Sequence, residues 1–278
     1  MRIQDGIVEI WQRVPLSWRT SFVKSRLAPP LRRLMNSLYP SGSGIFPLAA
    51  PLEGYKMRLE WHSSKAFVFG TYEREVVSAL LRIVRPDWLV VDIGAHVGYF
   101  ALLLAKLVGP RGKVIAFEPL PENFRVLNEN VLMNGCRNVV LEDRAVAATS
   151  GSASLRSNDS NRLTYTASLG HGQPVMEVEA VSLDDYTSGL QERIHLVMMD
   201  VEGVEAAVLQ GMRSVLQRDL PTLLVELHGF DQTGEFHPAL HELHSMDYSI
   251  QYLEAPGFQV HILAQPPKAV TDSRRVLD

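Results

Sequence analysis

Apolar and polar positions follow a repeating rhythm from residue 88 onward: an apolar run, a turn, then an amphipathic stretch. WLVVDIG (88–94) is too continuously apolar for a half-solvated sheet and predicts a strand covered on both faces. Tyr99–Val108 reads as a helix stopped by Gly109-Pro110, and Lys113–Phe117 as the next strand. Pro121 opens a helix with Phe124, Leu127 and Val131 on one face and Asn134-Gly135 at its end; Val139–Leu141 is a third strand. The rhythm resumes with a helix over Ser182–Leu190, a strand over His195–Met199, a helix over Glu205–Gln217 and a strand over Thr222–Leu227. A helix over Pro238–Met246 and two strands within 248–264 follow. Such alternation predicts an α/β fold, Rossmann-like, with a mainly parallel doubly wound sheet and helices on both faces. Ligands of these sheets bind beyond the carboxyl ends of the strands.

Two regions depart from the rhythm. Tyr55–Trp61 and Ala66–Phe69 read as short strands, after which Thr71 caps a helix to about Val84 with Glu73 and Glu75 in its first turn. Between 151 and 181, Ala153–Leu155 and Met176–Val181 predict a two-stranded excursion, with Met176, Val178 and Ala180 alternating against Glu177 and Glu179. The polar stretch Arg156–Pro174 between them is long enough to be a lid, a binding loop or plain disorder. The expected organisation is an arm and Ser-Gly linker (1–44), strands and a helix covering a ligand site (45–87), the α/β domain (88–265, with 151–181 inserted) and a tail (266–278).

Charge is unevenly spread. Residues 1–40 hold seven Lys/Arg against Asp5 and Glu9, while the whole chain is at −4. A basic amphipathic arm suits either an anionic membrane surface or packing on its own domain. The acidic remainder argues against nucleic acid as partner. One cysteine, Cys136, and no apolar stretch near the roughly 20 residues that span a bilayer point to a cytoplasmic protein.

The richest motif is VVDIGAHVGYF (90–100). Gly94 permits a turn that a side chain would block, and Gly98 lets a helix pack closely on the strand. Twenty residues past Gly98, the strand KVIAF ends in Glu118, positioned for two ribose hydroxyls. A pyrophosphate-binding turn wants a central glycine, where this chain has His96, and Tyr99 stands at the place of the last one. Asp92 would repel a pyrophosphate but welcome a cation. S-adenosylmethionine has a ribose, no phosphate, and cationic sulfonium and ammonium groups.

With GTYE (70–73), GKVIAFEPLPENF (112–124), NENVLMNG (128–135), VSLDDY (181–186), MDVEGVEAAVLQG (199–211) and LLVELHG (223–229), the chain resembles the FkbM-type family of S-adenosylmethionine-dependent methyltransferases over roughly 66–228. The resemblance implies a class I methyltransferase fold, S-adenosylmethionine as cofactor and O-methylation of sugars, lipid-linked glycans or polyketides. It places Tyr72 and Glu73 over the cofactor. Asp92, Gly94, Ala95, His96, Gly98, Tyr99, Glu118 and Pro119 line the cofactor site, and Asp143 stands where it could bond the adenine amino group or pair with Arg144. The family usually has Asn at His96 and Lys at Met199.

LVMMDVEGVE (196–205) ends a core strand by gathering acids, which repel one another and resist desolvation. Asp200 and Glu202 read as site residues; Glu205 reads as a complement to the dipole of the helix it opens. With Glu226 and His228 after the next strand they form the catalytic candidates. His228 is the expected base, since a histidine titrates near working pH, with Asp200 and Glu202 holding acceptor hydroxyls or the cofactor's ammonium. His62, His171, His195, His237, His241 and His244 carry no motif. Asp200, Glu202 and His228 could ligate magnesium, but no spacing supports zinc and no metal is assigned. Competing readings are a nicotinamide-dependent sugar oxidoreductase on the same fold and a non-catalytic cofactor- or glycan-binding module.

Overall fold

The computed structural model describes residues 43–157, 165–167, 173–229, 237–255 and 259–267, with Val14 and Gly257. The expected basic arm apart from Val14, most of the loop Arg156–Pro174, His171 and the tail from residue 268 fall outside these. The chain divides into two compact units, one ending at Asp143 and the other beginning at Arg144, a division within the span 88–265 that the sequence groups together.

The first unit opens with the antiparallel pair β1 (Ser43–Pro47) and β2 (Lys56–Glu60). Helix α1 (Trp61–Phe69) follows, where the sequence suggested a strand over Ala66–Phe69. A four-residue apolar run cannot by itself tell a strand from one buried helical turn, and here Phe67 and Val68 are buried from a helix. The next helix, α2 (Arg74–Ile83), is not capped by Thr71. Thr71 N–H donates to the Ala66 carbonyl at 3.0 Å, closing α1, so α2 starts later, with Glu73 as its left-handed N-cap.

Strands β3 (Leu89–Ile93), β4 (Lys113–Phe117) and β5 (Val139–Glu142) pair in parallel, with α3 (Tyr99–Val108) and α4 (Pro121–Met133) between them. β3 is buried throughout, Asp92 included, as the apolar character of the run around it predicts. Gly98 sits at φ +94°, and a methyl there would stand 2.6 Å from Leu127 Cδ1 of α4. The left-handed φ requires glycine here, whereas the tip of Leu127 could shift to relieve the contact.

In the second unit β6 (Ala145–Val146), β7 (Gly151–Ser157), β8 (Tyr165–Ala167) and β9 (Gln173–Val181) form a four-stranded sheet in the order β6-β9-β7-β8. The expected excursion is thus present and larger, with Ala153 facing Val178 across the antiparallel β7–β9 pair. Helix α5 (Leu183–Tyr186) is a single turn capped by Ser182, whose Oγ accepts from Asp185 N–H. Strand β10 (Ile194–Met199) follows.

The helix expected over Glu205–Gln217 is broken into α6 (Glu205–Gln210) and α7 (Arg213–Asp219). At Gly211, a methyl would lie 2.1 Å from the Ala147 carbonyl. Beyond the break the Asp184 carboxylate accepts the N–H groups of Ser214 and Val215, each at 3.0 Å. A tertiary partner therefore satisfies donors that a continuous helix would have used internally. Strand β11 (Thr222–His228) lies parallel to β10; α8 (Pro238–Ser245) follows, then β12 (Ser249–Tyr252) and β13 (Gln259–Gln265). Both last strands run antiparallel, β13 against β11 and β12 against β13. The architecture is α/β with mainly parallel central strands, as the alternation predicts. Among the described residues no helix is long and apolar enough to cross a membrane.

Candidate active site

The first unit builds a turn at the carboxyl end of β3. Gly94 (φ +88°) and His96 (φ +50°) both take left-handed backbone, which glycine adopts freely and histidine tolerates. The N–H groups of Gly94 and Ala95 donate to the Phe117 carbonyl, at 3.0 and 2.9 Å. Glu118 closes the turn. Its Oε2 accepts from His96 N–H at 2.8 Å, and its Oε1 from Leu120 N–H at 3.0 Å and Asn123 Nδ2 at 3.4 Å. The expected ribose ligand is thus also the group that fixes the glycine turn. Burial raises its pKa above the ordinary carboxylate range despite those three donors.

Asp92 is buried, and its Oδ2 makes no hydrogen bond among the described residues. Burial, and then the neighbouring charge of Glu118, push its pKa up to about 7. A buried, unsatisfied carboxylate oxygen beside a glycine turn costs stability unless a ligand uses it, and an ammonium group would.

Asn130 of α4 is fully buried beneath the turn. Its Nδ2 donates to the Val97 carbonyl at 2.8 Å, and its Oδ1 accepts Arg58 N–H at 2.6 Å, so one side chain ties β2 to the turn. Sequence reading did not single it out, although it lies inside NENVLMNG. A polar residue on the apolar face of a helix was the available signal.

Tyr72 packs edge-on against Phe67 at 4.4 Å and against Tyr99 at 5.4 Å, while Tyr99 stacks on Phe67 at 4.9 Å. Burial, followed by the charge of Glu73, pushes the Tyr99 hydroxyl up to about 12. Tyr99 is therefore a core member of an aromatic cluster beside the turn. The His96 side chain and Asp143 are exposed, and Pro119 is half-buried. Arg144 lies 3.8 Å from Glu179 and over the Tyr186 ring.

The second unit gathers the acids of LVMMDVEGVE around one histidine. After β10 the backbone turns through Glu202 (φ +55°) and Gly203 (φ +100°), and His228 ends the adjacent β11. His228 Nδ1 is 2.8 Å from Glu205 Oε1. Its Nε2 faces Glu202 Oε2 at 3.3 Å, Asp200 Oδ1 at 3.7 Å and Glu226 Oε2 at 3.8 Å. Its side chain is only 7% exposed. Burial lowers its pKa, but the bond to Glu205 and the charges of Asp200, Glu226 and Glu202 outweigh that and bring it up to about 9. The expected titration near neutrality is corrected accordingly, because four carboxylates favour the imidazolium.

Glu205 also departs from its reading as a simple helix-end charge. It is 1% exposed, accepts Gly203 N–H at 2.9 Å and fixes the ring of His228. His237, one of the histidines without a motif, is buried as N-cap of α8, with Nε2 3.0 Å from the His228 carbonyl. Its place directly before Pro238 was the signal for a cap. His261 on β13, also missed, has Nδ1 2.6 Å from Glu254 and Nε2 3.8 Å from Glu226.

Comparison with known proteins bears on both constellations. The profile described as Methyltransferase FkbM domain matches residues 92–259, from Asp92 through the acids and His228. The chain belongs to the FkbM methyltransferase family. It is an S-adenosylmethionine-dependent methyltransferase, as the motifs implied. The chain is similar to Methyltransferase 1 of Beauveria bassiana, 25% identical over 187 residues (59% of this chain, 73% of that protein). Hexuronic acid methyltransferase AglP of Haloferax volcanii is 27% identical over 194 residues (66% and 74%). The solved FkbM methyltransferase of Methylobacillus flagellatus KT superposes with a TM-score of 0.48 at 17% identity, covering 72% of this chain and 52% of that one.

Proposed function

We propose that this FkbM methyltransferase transfers the methyl group of S-adenosylmethionine to a hydroxyl of a sugar, glycan, glycolipid or polyketide-type acceptor. The observation that carries the reading is the set of carboxylate oxygens around His228 at the carboxyl end of β11. Carboxylates bind hydroxyl groups and draw off their protons, the assistance a weakly acidic alcohol needs. Asp200, Glu202 and His228 form the group that receives the acceptor hydroxyl. A relative that is a hexuronic acid methyltransferase supports an oxygen-rich acceptor.

The turn of the first unit suits the cofactor. Asp92 would take the ammonium end, consistent with its buried, unused oxygen. Glu118 retains acceptor capacity for ribose hydroxyls beyond the donors it already serves. Gly94, Ala95, His96, Gly98 and Pro119 shape the cradle, Tyr72, Glu73 and Tyr99 flank it, and Asp143 would meet the adenine. When bound, the cofactor supplies an activated methyl; what remains for the protein is alignment and proton removal. The basic residues of 1–40 would suit an acceptor carried on an anionic membrane.

The test is incubation of the purified chain with isotope-labelled S-adenosylmethionine and a panel of uronic acids, hexoses and hydroxylated macrolides, with products read by mass spectrometry and NMR. A new methoxy group is expected. Transfer only to nitrogen, sulfur or carbon would overturn the reading.

A further inference from the structure

Asp200, Glu226 and His228 come from the ends of two paired strands, β10 and β11, and each offers one ligand atom, all within 4.8 Å of one another. His228 is oriented for such a role. Its Nδ1 is committed to Glu205, and its buried Nε2 makes no hydrogen bond among the described residues. That atom points into the acids, 3.7 Å from Asp200 Oδ1 and 3.8 Å from Glu226 Oε2. Two metal–ligand bonds of about 2.1 Å span at most ~4.2 Å, so both separations accommodate a shared ion.

We propose that the second unit binds one divalent cation through Asp200, Glu226 and His228. One imidazole with two carboxylates suits Mn²⁺ or Mg²⁺ better than a thiophilic metal. Glu205 is then the outer carboxylate that fixes the tautomer and orientation of a ligating histidine. The inference deepens, and rests on, the proposed hydroxyl acceptor. The acceptor oxygen takes an open coordination position, which makes its proton more acidic, and Glu202 accepts that proton. The oxygen lone pair then forms the C–O bond as the methyl C–S bond breaks, leaving neutral S-adenosylhomocysteine. Sequence reading named Asp200, Glu202 and His228 as possible magnesium ligands; the paired strands put Glu226 in the place of Glu202.

The test uses the full chain, stripped with EDTA and titrated with Mn²⁺ alone, following loss of the free-ion signal by electron paramagnetic resonance. One saturable site is expected. Asp200→Asn and Glu226→Gln should each abolish or strongly weaken it, and Glu205→Gln should weaken it by about 10–100-fold. A cooperative thermal melt like that of wild type verifies that each variant is folded, and His228→Gln supplies the same readout if an acid variant is not. Absence of saturable uptake, or equal uptake by wild type and these variants, overturns the site. Undiminished O-methylation by the stripped enzyme also removes the cation, while leaving the hydroxyl acceptor standing. Saturable Mn²⁺ with methylation of nitrogen or carbon retains the site and removes the acceptor.

Discussion

Glu205 Oε1 stands 2.8 Å from Nδ1 of His228, and the same oxygen accepts the N–H of Gly203 at 2.9 Å. One nearly inaccessible carboxylate thus orients the ring at the end of β11 and secures the turn after β10.

Glu205→Ala should therefore act twice. Leaving two buried donors without a partner costs about 1–3 kcal/mol each at most, visible as a lowered denaturant midpoint. Turnover should fall while S-adenosylhomocysteine affinity, measured by calorimetry, stays near that of wild type. Glu205→Gln, which can still accept through its amide oxygen, should recover most of the stability. If Glu205→Ala is as active and as stable as wild type, the orienting role is wrong.

Asp92 gives a pH dependence whose sign can be worked out. Its pKa in the folded chain is raised to about 7, so the native state holds a proton that the unfolded chain releases near pH 4. Between those values the folded state binds more protons, and this group's contribution to stability declines as pH rises. The cationic end of the cofactor needs the ionised form. S-adenosylmethionine affinity should thus increase from pH 6 to pH 8. Asp92→Asn should bind more weakly at pH 8, with the rise flattened, and should gain stability there. Titration calorimetry and thermal melts at three pH values decide it.

Glu118→Ala removes the acceptor of three hydrogen bonds, from His96, Leu120 and Asn123. Loss of cofactor affinity of roughly 30- to 150-fold is expected, the equivalent of about 2–3 kcal/mol. Because the turn itself loosens, the melting temperature should drop as well. An unchanged affinity would take Glu118 out of the site.

Asn130→Ala cuts the links from α4 to Val97 and to Arg58. The expected destabilisation is about 1–3 kcal/mol. Cofactor affinity should fall with it, since Val97 belongs to the turn. Asn130→Asp keeps the oxygen but loses the donor, and should fail chiefly at the Val97 carbonyl. Denaturation and calorimetry on the two variants separate the contacts.

The sequence by itself determined the alternating strands from residue 88 onward, the glycine turn and the family. Runs as rich in apolar residues as Leu89–Ile93 mark strands buried on both faces, and Gly94 and Gly98 mark where the backbone takes left-handed values. These are local demands, legible wherever a single residue type satisfies them. Tertiary structure decided the features that depend on a partner distant in the chain. Ala66–Phe69 joined a helix because burial, not periodicity, settles a four-residue run. The expected helix from Glu205 broke at Gly211 because Ala147 lies against it and Asp184 caps α7 beyond the break. Glu205 became the support of His228, and His237 a buried cap, through contacts spanning 23 and nine residues. The acids of 200–205 are visible in sequence as a cluster of like charge. Their grouping with His228 after the next strand is legible too, but that they crowd the imidazole closely enough to raise its pKa to about 9 emerges only once β11 is laid beside β10. Coulombic coupling depends on distance in space, and distance in space is what the order of residues does not state.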